Sequence, residues 1–259
     1  MMDEVELVEK QNYIVSKSNQ IVQKSRYELS VPEQRAIAYI CSMIKPRSEL
    51  DRANGVPYQL VYEFDILEYA QICEIANNGR LYDETKALLK GLQSKVMWLT
   101  LEDGTETTVN WVNKAWTNKK SGKARIRLDE DMTPYLFDLQ EKFTSYGLYE
   151  ILKMKSQYSI RLYEIFASYE WIGKKTFEVD ELKRMLMVDD IKTYQNFKNF
   201  RLRVLETAIE EINTQTEMNV SMNPITKGRK VVAVEFIIVD ATKKRARERK
   251  KNFIENNHS

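Results

Sequence analysis

Apolar residues recur along this chain in two rhythms, one of three to four residues and one of two, and turn signals punctuate each run. Ser30-Val31-Pro32-Glu33 reads as a capping box with proline in the first turn, and Ala36, Ile37, Ile40, Cys41 and Ile44 follow at helical spacing. This predicts a helix over 31–44, stopped by Pro46. A polar loop over 46–57 leads to an alternating segment, Tyr58 to Phe64, that predicts a short strand. Asp65 opens a second helix to about Ile75. Beyond the Asn77-Asn78-Gly79 turn, Leu81, Thr85, Leu88, Leu89 and Leu92 place one stripe on a third helix ending near Lys95. Three β-type runs come next: Val96 to Leu101, Thr107 to Trp116 and Ala124 to Leu128. They are joined by Asp103-Gly104 and by the basic segment Asn118-Lys119-Lys120-Ser121-Gly122-Lys123. Three helices and then a basic-tipped hairpin is the winged-helix order.

An amphipathic stretch from Glu130 to Leu152 predicts two connector helices, after which the order returns. Tyr158, Leu162, Ile165, Phe166 and Tyr169 predict a helix, Phe177 to Val188 a second and Asn196 to Asn213 a third. Thr216 to Met222 alternates as a strand, the stretch from Asn223-Pro224 to Lys227-Gly228-Arg229-Lys230 predicts a turn, and Val231 to Val239 reads as a buried strand. Residues echo as well. Phe64-Asp65-Ile66 and Phe177-Glu178-Val179 lie 113 positions apart, and the wing-tip glycines Gly122 and Gly228 lie 106 apart. The expected fold class is therefore α+β, two tandem winged-helix domains related by pseudo-duplication. The expected boundaries are 1–140 for the first domain, 141–155 for the connector, 156–240 for the second domain and 241–259 for a basic tail.

Composition narrows the chemistry. Among 259 residues the only histidine is His258, in the polar tail, which leaves no material for His-based hydrolases, His-ligated metal sites or a two-histidine nicking centre. The eight glycines are nowhere closer than twelve residues, so neither a GxxxxGK[ST] loop nor a GxGxxG turn can be written. A carboxylate-only metal nuclease stays open, because 38 acidic residues always permit some cluster, yet no helical spacing stands out. The expectation is a non-enzyme with no catalytic residues, metal or cofactor. Cys41 and Cys73 fall in helix-periodic apolar settings and read as two buried thiols. Met1 to Lys10 holds four acidic residues and matches neither a secretory signal nor a transit peptide. The longest apolar run, Val231 to Val239, contains Glu235 and is about half of what a bilayer-crossing helix needs. A cytoplasmic protein without membrane contact is expected.

Charge is divided unequally. Residues 1–150 carry 19 basic against 23 acidic residues, whereas 151–259 carry 21 against 15, so a polyanion would be drawn to the second half. There the third helix begins Tyr194-Gln195-Asn196-Phe197-Lys198-Asn199-Phe200-Arg201-Leu202-Arg203, basic and amide-rich at its start, with Glu206, Glu210 and Glu211 further on. That polarity suits duplex DNA at the leading end of the helix. A helical wheel turns Phe197, Val204, Leu205, Ala208 and Ile212 to the core and Gln195, Asn196, Asn199 and Arg203 outward, making those four the base-reading candidates. Lys198 flanks the groove face as a phosphate contact, while Arg201 lies near the apolar arc and is assigned either to DNA or to an internal pair. Lys227, Arg229 and Lys230 form a basic wing. In the first half Lys86 and Lys90 on the third helix, with Lys119, Lys120 and Lys123, and Arg125 and Arg127 beside them on the wing, are candidate phosphate contacts, or else the hairpin edge pairs with another subunit. The tail Lys243 to Lys251 has seven basic residues of nine, readable as a solvated run or a nonspecific phosphate contact.

Three runs go further: Tyr158-Ser159-Ile160-Arg161-Leu162-Tyr163-Glu164, Phe197 to Leu205, and Ala208-Ile209-Glu210-Glu211-Ile212-Asn213. With Tyr27-Glu28-Leu29-Ser30 and Glu33-Gln34-Arg35, they resemble the iteron-binding replication initiators of plasmids over about residues 12–240. The resemblance implies a monomer that binds repeated double-stranded sites at an origin, helps melt the adjoining duplex and recruits a host initiator ATPase and the replicative helicase. It also implies dimers that repress the protein's own gene, with the first domain remodelled between the two states, and it supports recognition-helix function at Lys198, Arg201 and Arg203. The competing reading is a winged-helix transcriptional repressor with no part in replication.

Overall fold

The computed structural model describes residues 2–139 and 142–240. The first half contains α1 (Glu4–Gln11), β1 (Ile14–Ser18), α2 (Asn19–Lys24), β2 (Ser25–Arg26), α3 (Val31–Ser42), α4 (Glu49–Ala53), β3 (Val61–Asp65), α5 (Ile66–Ile72), α6 (Leu81–Ser94), β4 (Val96–Thr100), β5 (Glu106–Asn110), β6 (Val112–Asn118) and β7 (Lys123–Leu128). A 3-10 turn (Glu130–Met132), α7 (Thr133–Leu136), β8 (Phe143–Gly147) and α8 (Leu148–Lys153) lead to α9 (Gln157–Tyr169). The second half continues with β9 (Lys174–Glu178), α10 (Val179–Met185), a 3-10 turn (Lys192–Gln195), α11 (Phe197–Phe200), a π-helical stretch (Arg201–Glu206), α12 (Thr207–Gln215), β10 (Met218–Lys227) and β11 (Lys230–Asp240).

Two winged helices are present, and their sheets are wired alike. In the first half the strand order is β3-β7-β6, and in the second β9-β11-β10, all antiparallel. In each case the strand that precedes the second helix pairs with the returning strand of the wing. The echoed triplets mark that junction: Phe64 and Phe177 are the penultimate strand residues, Asp65 and Glu178 end the strands and serve as N-caps, and Ile66 and Val179 begin the helices. Both aromatic rings are buried, because alternation on a half-buried sheet aims them inward. Buried apolar side chains from Val15 to Ile238 form one continuous cluster.

Several elements differ from the sequence expectation. The Glu33 carboxylate does accept the Ser30 backbone N–H and hydroxyl, each at 2.8 Å, so α3 starts as predicted. The expected loop over 46–57, however, contains α4, capped by Ser48 and Asp51 in a box of its own. The run Thr107 to Trp116 is two strands, since Trp111, 1% exposed, turns into the core where the chain leaves the β2-β4-β5 sheet for the other. The stretch over 130–152 does hold two short helices, α7 and α8, but β8 lies between them, pairing with β1 and turning Thr144 and Tyr146 inward. Its periodicity was ambiguous because half of a two-residue rhythm fits a helical stripe. Phe177 begins no helix: it belongs to β9. The second wing is longer than predicted, its strand running through Pro224 to Lys227 and turning only at Gly228-Arg229. Proline is tolerated there because β10 is an edge strand, with a neighbour on one side only. Gly228, at φ 63°, takes the positive-φ place of that two-residue turn. The basic tail over 241–259 lies outside the described residues.

Candidate nucleic-acid interface

The third helix of the second half is helical from Phe197 to Gln215, but not uniformly α. A π turn over Arg201–Glu206 adds a residue to the cycle, and the Thr207 hydroxyl donates to the Leu202 carbonyl at 3.1 Å across it. The wheel is reset as a result. Val204, Leu205, Ala208 and Ile212 are buried as expected, but the leading core residue is Phe200, 0% exposed, while Phe197 is only half-buried. Phe200 was missed because an ideal 3.6-residue period carries it off the apolar face.

The leading turn is organised by amides. Asn196 is the N-cap, its Oδ1 accepting the Lys198 backbone N–H at 2.9 Å. Gln195 Nε2 donates to the Asp189 carbonyl at 2.5 Å, and Asn199 Nδ2 donates to the Thr193 carbonyl at 3.2 Å. Gln195 and Asn196 are exposed and Asn199 is half-buried. Each amide thus spends one polar atom on the local backbone. Lys198 and Arg203 are exposed, Arg203 with no ion pair among the described residues. Arg201 pairs with Glu206, Nε to Oε1 at 3.3 Å.

Lys227, Arg229 and Lys230, all exposed, lie on the second wing and line a cleft of about 820 Å³ together with Gln195 and Phe197. The structure therefore brings the basic wing and the start of the third helix around one opening. Lys192, exposed in the turn just before that helix, is a further cation that sequence reasoning passed over.

The first half is arranged differently. Lys86 and Lys90 are exposed on α6, and Lys119 and Lys120 sit at the wing tip. The Tyr82 hydroxyl is hydrogen-bonded to Thr117 Oγ1 at 2.9 Å, and Lys119 stands 5.7 Å from the Tyr82 ring centroid, so wing tip and helix start adjoin. Lys123 is paired with Glu63 at 2.8 Å, and hydrogen bonding to that carboxylate holds its ammonium above the usual lysine range. Arg127 is paired with Glu130 at 2.5 Å, and Arg125 stacks on Trp116 at 4.5 Å. Asp83 and Glu84 are exposed at the start of α6. Among the described residues no group of three or more His, Cys, Asp or Glu side chains is gathered for a metal ion, and no helix is long and apolar enough to cross a membrane.

Comparison with known proteins agrees with this geometry. A family model described as initiator replication protein, WH1, matches residues 14–167, and one described as initiator Rep protein, WH2, matches residues 178–238. A replication initiation protein of Escherichia coli is 28% identical over 214 residues, 79% of this chain, which spans 63% of that relative's length. The PI protein of Escherichia coli is 24% identical over 241 residues, covering 82% of this chain and 78% of the relative. Among solved structures, that of the Pi initiator protein in complex with iteron DNA superposes with a TM-score of 0.68 at 23% identity, over 89% of this chain and 98% of the other, a likeness of fold. With both winged helices matched in order over most of its length, the chain belongs to the family of initiator replication proteins.

Proposed function

We propose that this protein initiates plasmid replication by binding repeated double-stranded sites, of the iteron kind, at an origin. The observation that carries the reading is the cleft where the second wing's Lys227, Arg229 and Lys230 meet the amide-rich start of the third helix. A helix start of this kind fits the major groove and a basic hairpin fits the adjoining backbone. The relative whose structure holds iteron DNA shares this fold. In the same reading the protein helps melt the adjoining duplex and recruits a host initiator ATPase and the replicative helicase in the cytoplasm. Dimers of it repress its own gene, and the first winged helix adds phosphate contacts through Lys86, Lys90, Lys119 and Lys120.

Lys123 is the weakest of the first-half candidates, because Glu63 already neutralises it. The test is a minimal plasmid carrying this gene and its flanking DNA, with a footprint on the same flanks. Replication that depends on the gene and on footprinted repeats supports the reading. A footprint without replication leaves a repressor, and no footprint on any duplex sinks both.

A further inference from the structure

Lys183, on α10, is 5% exposed. A lysine buried to that degree keeps its aliphatic stem in the interior and carries its ammonium to the nearest opening, since removing the charge from water is costly unless it is paired. Yet among the described residues no carboxylate forms an ion pair with it and no acceptor takes a hydrogen bond from it. Its recorded contact is the face of the Phe200 ring, 5.8 Å from ammonium to centroid. A ring at that distance is a weak substitute for an anion. The side chain lines the cleft that Gln195, Phe197, Lys227, Arg229 and Lys230 also line, where four cations face the carboxylates of Glu178 and Asp180.

We propose that Lys183 binds a backbone phosphate of duplex DNA, seated between the leading turn of the third helix and the second wing. The inference rests on the DNA-binding reading above and adds to it a residue that no motif or charge run singled out. Three observations converge on it. The stem of Lys183 is buried while its ammonium, with no ion pair among the described residues, opens to the cleft, where a phosphodiester would supply an anion. Partial desolvation beside Phe197 and Phe200 strengthens a charge-assisted hydrogen bond relative to one in water. Finally, α10 is the helix before the groove-binding helix, and in helix-turn-helix docking that element crosses the phosphate backbone. Lys183 would thereby fix how deeply the third helix enters the groove, without reading any base.

The test measures binding to a random-sequence duplex across a salt series, with melting temperature recorded alongside. Lys183→Met keeps the buried stem and removes the charge, while Lys183→Arg keeps the charge. Lys183→Met should bind roughly tenfold more weakly at low salt. Its slope of log affinity against log salt should be shallower by about 0.9, with Lys183→Arg close to wild type. The melting temperature should stay close to wild type, because the buried stem is kept and the ammonium it carried makes no ion pair among the described residues. A wild-type slope in Lys183→Met overturns the proposal, whether or not the melting temperature moves. Lys183→Gln serves the same comparison if the methionine variant does not fold. Inorganic phosphate supplies a separate arm. If it raises the melting temperature of wild type alone while all DNA slopes agree, the site takes a free anion and the DNA assignment falls. Failure of wild type to bind any duplex would instead sink the initiator reading itself.

Discussion

Arg203 is exposed on the outer side of the π turn with no ion pair among the described residues, whereas Arg201, two positions earlier, is held by Glu206. Of the two, Arg203 is the one whose whole guanidinium is free of an ion pair among the described residues. Arg203→Ala is expected to cost about 1 to 3 kcal/mol on a specific site and to relax preference at one base position, read by competition against single-base variants of the site. An equal loss on random DNA would make it a phosphate contact. Gln195, Asn196 and Asn199 differ from it, because each already makes a local hydrogen bond that base reading would keep or exchange. Asn196→Ala should accordingly lower stability by about 1 kcal/mol through loss of the N-cap, measurable by urea denaturation without DNA.

At the scale of elements, the runs that carry the family resemblance are largely framework. Asn213, on α12, clamps the neighbouring strand by both ends of its amide: Nδ2 donates to the Val220 carbonyl at 2.9 Å and Oδ1 accepts the Val220 N–H at 2.7 Å. Glu211, two residues before it, accepts the backbone N–H groups of Lys155 and Ser156 at 2.6 and 3.1 Å, fastening α12 to the segment that opens α9. The Asn213 bonds hold the third helix against the wing, and the Glu211 bonds hold it against the start of α9. Asn213→Ala leaves the amide of the buried Val220 without this partner and should cost about 1 to 3 kcal/mol. It should also weaken DNA binding only as far as the wing loses its place, so heating curves and salt slopes together separate the two effects. A full loss of binding at unchanged stability would contradict the clamp.

Across the whole molecule, α9 is anchored by a buried polar hub. Glu164 accepts hydrogen bonds from Lys17 at 2.6 Å, from the Tyr27 hydroxyl at 3.1 Å and from the Tyr146 hydroxyl, while Arg161 donates to the Ser25 carbonyl at 2.9 Å. Burial alone would raise the Glu164 carboxyl, but the Lys17 and Arg161 charges and the hydrogen bonds hold it below its ordinary range. Glu164→Leu leaves the Lys17 ammonium buried and unpaired, an expected loss of about 3 to 5 kcal/mol. Adding Lys17→Met should recover much of it, and a double variant no more stable than the single one would refute the pairing.

The same interior predicts alkaline unfolding. Burial pushes the Cys41 thiol from 9.0 up to about 11 and the Tyr27 phenol from 10.0 up to about 12. A group with a raised folded value stabilises fully below its unfolded value, and that contribution is lost as pH rises through the folded one. Stability should therefore fall between about pH 9 and about pH 12, as urea midpoints taken across that range would show. A flat profile would mean that these groups titrate alike in both states.

The order of helices and wings, the capped start of α3 and the basic character of the second wing were legible in the sequence. Each depends on neighbours a few residues apart: periodic apolar positions, a Ser-to-Glu capping spacing, charge around a turn glycine. Contacts between distant segments were not legible. The pairing of β1 with β8 joins residues more than a hundred positions apart, and nothing in either segment alone names its partner. The π turn that put Phe200 inside, the Asn213 clamp and the Lys17–Glu164 pair likewise exist only once separate elements have closed on one another. Lys183 illustrates the division best. As a letter it is one lysine among many, and its meaning comes from a buried stem that ends in the cleft between the second wing and the start of the third helix, a property of the assembled fold.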